Sequence, residues 1–398
     1  LYGTELEIRI DESEKTGWDS LMNKFPIILL LIFIIVGRNI SKYPKISFWK
    51  LYTPAIISYT LILGARWNRG ADYKHYQNIY NHGLEYEQKL FSAINDFFNL
   101  LGVNDIGIFF VYSFIFIFLA GFIIKYYRNI AIWLLPLFLF AFTTFDEWFI
   151  RQGLGYSFIF LFLIFLFNDK YSINIRFIGC TLSALCACNI HSGSIFTIGV
   201  IILCYVFCRK PFDYRICIIL YLFSSYYFQY NMDFTYVNIF LTHIEGFDGR
   251  MDQYIKMSDD WFSNYASSDD YYRKGFVKLF QTLGECSFFY FTNMAFKLRS
   301  NIIENYKVKS LIILFNVYVI GSIIGQMFFI VEIPKRIAMT IYILWCFPLA
   351  YTLCTIRFRM LNQIQKIFFL TLTFWCYEHL KYIFYRIDDV YYFIWDRF

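Results

Sequence analysis

Long apolar runs, broken by short polar turns, make up most of this chain. A helix needs about 20 mostly apolar residues to cross a bilayer, and runs near this length recur throughout the sequence. The pattern predicts an all-α polytopic membrane protein with about twelve transmembrane helices, several short enough to be broken or buried in the bundle. The predicted segments are 25–41, 46–65, 105–127, 130–146, 148–168, 173–190, 192–208, 213–230, 275–297, 309–331, 335–356 and 366–385.

The composition agrees with this pattern and excludes a soluble globular class. The 398 residues are 58% hydrophobic and 23% aromatic, but only 17% are charged, whereas soluble domains average about 25% charged residues. The ten cysteines lie in or beside the apolar runs and form no CxxC pair. This placement indicates small buried side chains rather than metal ligands or disulfides.

The amino-terminal segment differs from the rest of the chain. Residues 1–21 are polar and acidic and precede Met22, which resembles a natural start. We therefore expect residues 1–21 to be non-native or upstream sequence. Residues 22–398 are expected to form a single integral membrane domain, with outer loops at 66–104 and 231–274.

Lysine and arginine are concentrated in every second loop, and these loops contain few acidic residues. Cytoplasmic loops of membrane proteins carry an excess of such cations, so we place these loops in the cytoplasm and both termini outside. The remaining loops have mixed charge and many Tyr and Trp residues. Nearly all of the chemically interesting side chains therefore fall on one face, the predicted outer face.

The first long outer loop opens with a dense polar motif where an apolar segment leaves the bilayer. Arg66, Arg69 and Asp72 are accompanied by the aromatic pair Tyr73 and Tyr76. Guanidinium groups bind phosphates through paired hydrogen bonds, so the motif indicates a site for an anionic group. The alternative is that these charges only stop the helix from sliding into lipid.

Residues 85–101 follow this motif and carry apolar side chains at helical spacing. The spacing predicts an amphipathic helix that lies along the membrane interface as a lid or shelf. Surface anchoring alone explains the pattern equally well.

A second cluster of charges, Asp146, Glu147 and Arg151, lies at a tight turn between two apolar segments. Charged side chains at membrane depth are costly unless they are paired or face a watery cavity. The cluster is therefore either a structural ion pair, or a general base beside an arginine that meets a substrate phosphate.

His191 interrupts a long apolar run at another predicted outer turn, among small residues. A single histidine in this setting is often a hydrogen-bonded packing residue. Beside a pyrophosphate it would instead donate to the leaving group or accept a proton from an incoming hydroxyl.

The loop at 231–274 alternates acids, amides and aromatics, which suits a sugar. Tyr254 and Trp261 offer stacking faces, and Arg250 precedes them; a solvated loop is the alternative. Arg336 follows Pro334 at the outer start of the next-to-last apolar segment. No Asp-Asp pair is convincingly placed to hold a metal-bound nucleotide. Walker, GxSxG, HExxH and GxGxxG motifs do not occur, so nucleotide-driven transport and standard hydrolase chemistry lack support.

In order and spacing, these motifs resemble the EpsG-like branch of the Wzy-type polysaccharide polymerases over essentially all of residues 22–398. The motif from Arg66 to Tyr76 is similar to that family's arginine–glycine–aspartate–tyrosine signature after its second helix. The turns before Arg151 and at His191, the pair Arg250 and Tyr254, and the late Arg336 follow in the same order.

The resemblance implies a glycosyltransferase with a type-C-like fold in the bacterial cytoplasmic membrane, with its active site facing outward. Such an enzyme joins oligosaccharide repeat units carried on undecaprenyl pyrophosphate, with inversion at the anomeric carbon. It needs no nucleotide sugar, cofactor or metal. The implied partners are the lipid-linked oligosaccharide, the bilayer and a chain-length-regulating membrane protein, and no nucleic acid.

Residue roles follow from this chemistry. Arginines stabilise the departing pyrophosphate, for which the candidates are Arg66, Arg69, Arg151, Arg250 and Arg336. The acceptor hydroxyl needs a base, for which the candidates are Glu147, Asp146, Asp72 and His191. The saccharide path is expected to be lined by Tyr73, Tyr76, Tyr254 and Trp261.

Three other classes stay open. An O-antigen ligase uses the same donor with a different acceptor and has a similar sequence. A lipid-linked oligosaccharide flippase or other transporter places charges near the bilayer midplane, whereas here they gather on one face. A membrane-bound acyltransferase needs its donor from the cytoplasmic side, where the sequence offers mainly scattered basic residues.

Overall fold

The computed structural model describes residues 25–67, 72–83, 88–228, 276–298, 304–329, 332–384 and 392–393, together with residue 302. Within these ranges every element longer than two residues is a helix, so the predicted all-α class is confirmed. The predicted outer loop at 231–274 and the segment 1–21 lie outside the described residues.

The chain divides into two compact units. The first comprises residues up to Ser194 and those from His379 onward, and the second comprises Ile195–Glu378. The single membrane domain expected for residues 22–398 stays a prediction.

The described part of the first unit consists of helices and one minimal strand pair. Strand β1 (Arg66–Trp67) pairs antiparallel with β2 (Tyr392–Phe393). The helices are α1 (Phe25–Lys42), α2 (Phe48–Gly64), α3 (Tyr73–His82), α4 (Lys89–Leu100), α5 (Gly107–Tyr126), α6 (Ala131–Trp148), α7 (Ile150–Phe167) and α8 (Ile173–Ile190).

Helices connected by short turns make up the described residues of the second unit. Helix α9 (Ser194–Phe207) leads into it, and α10 (Tyr214–Phe223) continues as a wider π-helical turn, Ser224–Phe228. The remaining helices are α11 (Phe276–Leu298), α12 (Asn305–Met327), α13 (Glu332–Tyr342), α14 (Cys346–Thr355) and α15 (Gln363–Phe384), whose residues from His379 onward belong to the first unit.

Each of the twelve predicted apolar segments overlaps described helix. Within the described residues, six stretches are long and apolar enough to cross a membrane: Phe25–Lys42, Gly107–Tyr126, Ile150–Phe167, Ile173–Ile190, Lys307–Met327 and Pro334–Thr355. Two shorter apolar helices are Arg128–Thr143 and Ser194–Phe207. These helices fit a multi-pass membrane protein, whereas the count of twelve spans and the type-C likeness stay predictions.

Close helix contacts in the first unit depend on glycine. A Cβ atom at Gly37 of α1 would stand 2.5 Å from the carbonyl oxygen of Ala131 in α6. A Cβ atom at Gly121 of α5 would stand 2.7 Å from the ring of Tyr52 in α2. Small residues of this kind let membrane helices approach closely and gain dispersion contacts.

A basic residue from a predicted cytoplasmic loop closes the end of α1. Arg128 donates hydrogen bonds to the carbonyls of Ile40, Tyr43 and Ile46 at 3.3, 2.6 and 2.9 Å. The last carbonyls of a helix lack partners within it and carry partial negative charge, so an arginine there is favourable.

Asn316 holds the connection between α9 and α10 in the second unit. Its amide nitrogen donates to the carbonyls of Cys208 and Lys210 at 3.1 and 2.9 Å. Its amide oxygen accepts the backbone N–H of Phe212 at 2.9 Å. One side chain on α12 therefore satisfies three backbone groups of a turn that has no helical partners of its own.

Glu285 lies within α11 and is only 5% exposed. It accepts hydrogen bonds from the hydroxyls of Tyr318 and Ser322 in α12, and from Trp375 in α15. The sequence reasoning did not single out this residue, although an acidic residue in the middle of the apolar segment 275–297 was a visible signal. A buried carboxylate needs such donors, because hydrogen bonds replace the water it has lost.

Candidate functional site

The polar motif of the first loop begins where α2 meets α5. A Cβ atom at Gly64 would stand 2.6 Å from the Phe110 ring, so the end of α2 lies directly on α5. The chain then extends for two residues and pairs with β2, with Arg66 opposite Phe393. These contacts hold the backbone of Arg66 against the first unit.

Arg66 is fully buried, with 0% of its surface exposed. Its Nη1 donates to the carbonyl of Leu63 at 2.7 Å, and its guanidinium carbon lies 5.5 Å from the centre of the Phe109 ring. A charge that only stopped a helix at the membrane surface would be solvated. Arg66 is instead enclosed by protein and held by a carbonyl and an aromatic face.

The aromatic pair after Arg66 packs inward. The ring of Tyr73 stacks on Phe109 with centroids 4.1 Å apart and planes 11° apart. The centre of the Tyr76 ring lies 5.6 Å from that of Phe91 in α4. Both tyrosines are buried, and their role in saccharide binding stays a prediction. Asp72 stands at the amino-terminal cap of α3, where its side chain makes no capping hydrogen bond.

The amphipathic run expected at 85–101 includes α4, which covers Lys89–Leu100. Its inner side buries Phe91 and Asn95, and Asn95 accepts a hydrogen bond from the Tyr112 hydroxyl of α5 at 2.5 Å. Its outer side exposes 55% of Phe97 and 87% of Leu100. The helix therefore docks on the first unit through one face and presents an apolar edge on the other.

The turn with the second charge cluster is a helix break of one residue, Phe149, between α6 and α7. Asp146 and Glu147 lie in the last turn of α6, where the structure describes the backbone. Arg151 is the second residue of α7 and is half-buried, and its Nη1 donates to the amide oxygen of Gln88. The amino end of a helix carries partial positive charge, so Arg151 adds a full charge to an electropositive corner.

His191 caps the carboxyl end of α8, and its turn packs against α7. A Cβ atom at Gly155, one helical turn beyond Arg151, would stand 3.3 Å from the His191 Cβ and 3.0 Å from the Ser194 Oγ. Burial, helped by the positive charge of Arg151, lowers the pKa of His191 to about 3. The imidazole is therefore neutral near pH 7.

One buried cluster links these positions. It brings together side chains from α3, α4, α5, α7 and α8: Tyr73, Tyr76, Phe91, Phe109, Tyr112, Ile150, Leu154 and Ile190, with Ile79, Tyr80 and Ile108. Arg66 contacts the cluster through Phe109, whereas Arg151 and His191 each follow a member, Ile150 and Ile190. The structure thus gathers motifs more than a hundred residues apart in sequence around one aromatic core.

Arg336 belongs to the second unit, where it is half-buried in the first turns of α13. Arg69, Arg250, Tyr254 and Trp261 lie outside the described residues. Within the part of the chain that the structure describes, no group of three His, Cys, Asp or Glu residues is arranged to hold a metal ion.

Sequence reasoning missed the supporting side chains Gln88, Asn95, Phe109 and Tyr112. The buried face of α4 was visible in the helical spacing of its apolar residues. The side chains that contact this face could not be identified from the sequence. No pattern in α5 shows which of its aromatic residues point toward α4.

A sequence model of the EpsG family matches residues 49–393. The match covers most of the chain and includes every candidate residue from Arg66 to Arg336. Comparison with curated proteins and with solved structures finds no match.

Proposed function

We propose that this chain, which belongs to the EpsG family of Wzy-like polysaccharide polymerases, joins oligosaccharide repeat units carried on a lipid pyrophosphate into a polysaccharide. The donor proposed is undecaprenyl pyrophosphate, and the reaction face is the outer leaflet of the cytoplasmic membrane. Family membership supports a polymerase-type activity, and the candidate site supports the pyrophosphate donor.

The burial of Arg66 is the observation that carries the proposal. An arginine with no exposed surface, held by the Leu63 carbonyl and the Phe109 ring, is an expensive feature that a helix stop does not need. Pyrophosphate is already a good leaving group, so the main task is to stabilise its growing charge. Fixed guanidinium donors do this well in a site that excludes water.

Arg151 is proposed as the second anion contact. It stands at the amino end of α7, whose N-cap residue Phe149 cannot accept hydrogen bonds through its apolar side chain. The partial positive charge of the helix end and the positive charge of the guanidinium both attract a phosphate. Arg69, Arg250 and Arg336 stay in the proposal as further donors.

The base that activates the acceptor hydroxyl is proposed to be a carboxylate, Glu147, Asp146 or Asp72. A general base works best when its pKa lies near the working pH, and a histidine with a pKa of about 3 is a weak base there. His191 is therefore assigned as a neutral hydrogen-bond partner beside Arg151. Attack in line with the leaving pyrophosphate inverts the anomeric carbon.

The saccharide path is proposed for Tyr254 and Trp261 of the loop at 231–274. Tyr73 and Tyr76 stay in the proposal as further lining of the path, although the Tyr73 ring is stacked on Phe109 and both side chains are buried. In the described arrangement these two tyrosines support the aromatic core that holds Arg66.

The direct test is polymerisation by the purified protein. A synthetic undecaprenyl-pyrophosphate repeat unit, supplied without nucleotide or metal, should yield a ladder of longer glycans. A single transfer to a different acceptor without a ladder would indicate a ligase. Movement of the intact lipid-linked unit across liposomes without glycan transfer would indicate a flippase and overturn the proposal.

Arg66→Lys tests the role of the guanidinium with the charge retained. It should lower the polymerisation rate by about ten- to hundred-fold, because an ammonium group cannot make paired hydrogen bonds. Arg359→Lys, at an exposed position in a predicted cytoplasmic loop, is the matched control and should keep the wild-type rate. Wild-type activity in Arg66→Lys would remove Arg66 from the site.

A further inference from the structure

A hydrogen bond between two side chains joins α4 to α7 in the first unit. Nη1 of Arg151 donates to Oε1 of Gln88, across 63 residues of sequence. Gln88 immediately precedes α4, and Arg151 is the second residue of α7. Gln88 thus connects the amino end of α4 to Arg151, a proposed anion contact.

The position of Gln88 is set by a docked helix. Its carbonyl accepts the backbone N–H groups of Phe91 and Ser92 at 3.1 and 3.4 Å, so Gln88 forms the first turn of α4. Phe91 is fully buried, and Asn95 one turn further is bonded to the Tyr112 hydroxyl. The side chain of Gln88 is therefore presented to α7 by a helix with a fixed place on the core.

Arg151 benefits from a partner of this kind. A long arginine side chain has many rotamers, and an acceptor at its tip selects among them. The amino end of α7 repels a cation, and an amide oxygen offsets part of that cost. The amide is neutral, so it orients the guanidinium without cancelling its charge, which a glutamate at the same place would do.

We propose that Gln88 is a positioning residue that acts through Arg151. By accepting from Nη1 it holds the guanidinium at the amino end of α7, where Arg151 receives the pyrophosphate of the donor. Docking of α4 is thereby coupled to anion binding, so α4 is part of the site. The inference rests on the proposed function, because it assigns pyrophosphate as the group that Arg151 binds.

A double-mutant cycle tests the inference. The affinity for inorganic pyrophosphate is measured by calorimetry on the purified full chain in nanodiscs, for wild type, Gln88→Leu, Arg151→Lys and the double variant. Gln88→Leu should weaken binding by about ten-fold, the size expected for a lost hydrogen bond to a charged group. In the Arg151→Lys background the same change should have little further effect.

Gln77→Leu is the matched control. Gln77 lies on α3 and donates a hydrogen bond to the side chain of Asp105 at 2.7 Å. This hydrogen bond does not involve an arginine. Its loss should lower the thermal unfolding temperature but leave the affinity for pyrophosphate unchanged. Gln88→Glu is the second variant: it retains an acceptor for Arg151 and hence the fold, but its charge should weaken pyrophosphate binding further than Gln88→Leu does.

The outcomes separate this inference from the proposed function. Two results would overturn the positioning role alone, provided that a glycan ladder forms. One is that Gln88→Leu and Arg151→Lys weaken pyrophosphate binding additively. The other is that Gln88→Leu and Gln77→Leu change pyrophosphate binding equally. Non-additive loss of pyrophosphate binding without a ladder supports the positioning role and overturns the polymerase. A wild-type chain that neither binds pyrophosphate nor forms a ladder overturns both.

Discussion

The guanidinium carbon of Arg66 lies 5.5 Å from the centre of the Phe109 ring, and Tyr73 stacks on that same ring at 4.1 Å. Two residues of the polar motif, seven positions apart, thus share one aromatic partner on α5. The ring joins the end of α2 to the start of α3 and holds the buried cation between them.

Phe109→Leu should therefore affect function more than its packing loss suggests. The substitution retains an apolar side chain but removes the ring from Arg66 and Tyr73. We expect stability to fall by about 1–2 kcal/mol. The polymerisation rate should fall by about ten-fold or more, because a guanidinium that is no longer held in place stabilises the leaving group poorly. Glycan yield per minute and thermal unfolding measure the two effects.

Phe138→Leu provides the comparison for this prediction. Phe138 is equally buried in the first unit but packs against Phe116, Phe142 and Phe160 instead of an arginine. It should show a similar loss of stability with a nearly unchanged rate. Equal polymerisation rates in the two variants would show that the Phe109 ring does not contribute to the function of Arg66.

Acid should destabilise the first unit through His191. Its pKa in the folded state is about 3, below the value of about 6.5 in an unfolded chain. Its contribution to stability is therefore fully present above pH about 6.5 and is lost as the pH falls toward 3, by at most about 1.4 kcal/mol per pH unit. The unfolding temperature of purified protein should fall accordingly between pH 7 and pH 4.5.

His191→Gln should flatten this pH dependence, because glutamine does not titrate. His82→Gln, at an exposed position at the end of α3, should retain the wild-type slope. A slope that is unchanged in His191→Gln would show that other groups cause the acid sensitivity.

Glu285→Gln should destabilise the second unit. The hydroxyls of Tyr318 and Ser322 donate to the carboxylate, and an amide in its place brings N–H donors among them. A buried group left without a matched partner costs about 1–3 kcal/mol. Thermal unfolding in detergent measures the loss.

Glu304→Gln is the control for this effect. Glu304 is exposed and forms an ion pair with Lys307 at 3.3 Å, a kind of pair that contributes about 0–1 kcal/mol. It should leave the unfolding temperature nearly unchanged. A wild-type unfolding temperature in Glu285→Gln would mean that the carboxylate is not needed for packing.

Asn316→Leu should release the turn between α9 and α10. It removes the partners of the Cys208 and Lys210 carbonyls and of the Phe212 N–H, so trypsin should cleave after Arg209 several times faster than in wild type. Asn189→Leu should not change the cleavage rate. It removes an exposed hydrogen bond from the Asn189 side chain to the Leu185 carbonyl within α8. Cleavage in inverted but not in right-side-out vesicles would agree with the predicted cytoplasmic location of this turn.

Much of the fold followed from the chain's pattern. The apolar runs predicted the helices, because a segment in lipid must satisfy its own backbone hydrogen bonds, and residues 85–101 predicted the amphipathic α4. The contacts of Glu285 and Tyr73 did not follow from this pattern. The position of Glu285 inside an apolar run was visible in the sequence, but its hydrogen-bond partners were not. Nothing in the sequence indicated that Tyr73 packs inward.

The sequence by itself determined that this is a helical membrane protein of the EpsG family, with its polar motifs at the ends of particular helices. Only the tertiary structure decided that Arg66 is buried against the Phe109 ring, that Arg151 donates a hydrogen bond to Gln88, and that His191 packs beside Gly155. These pairs lie 43, 63 and 36 residues apart. Periodicity shows which face of a helix is apolar, but helix packing and rotamer choice decide which side chains of distant helices meet.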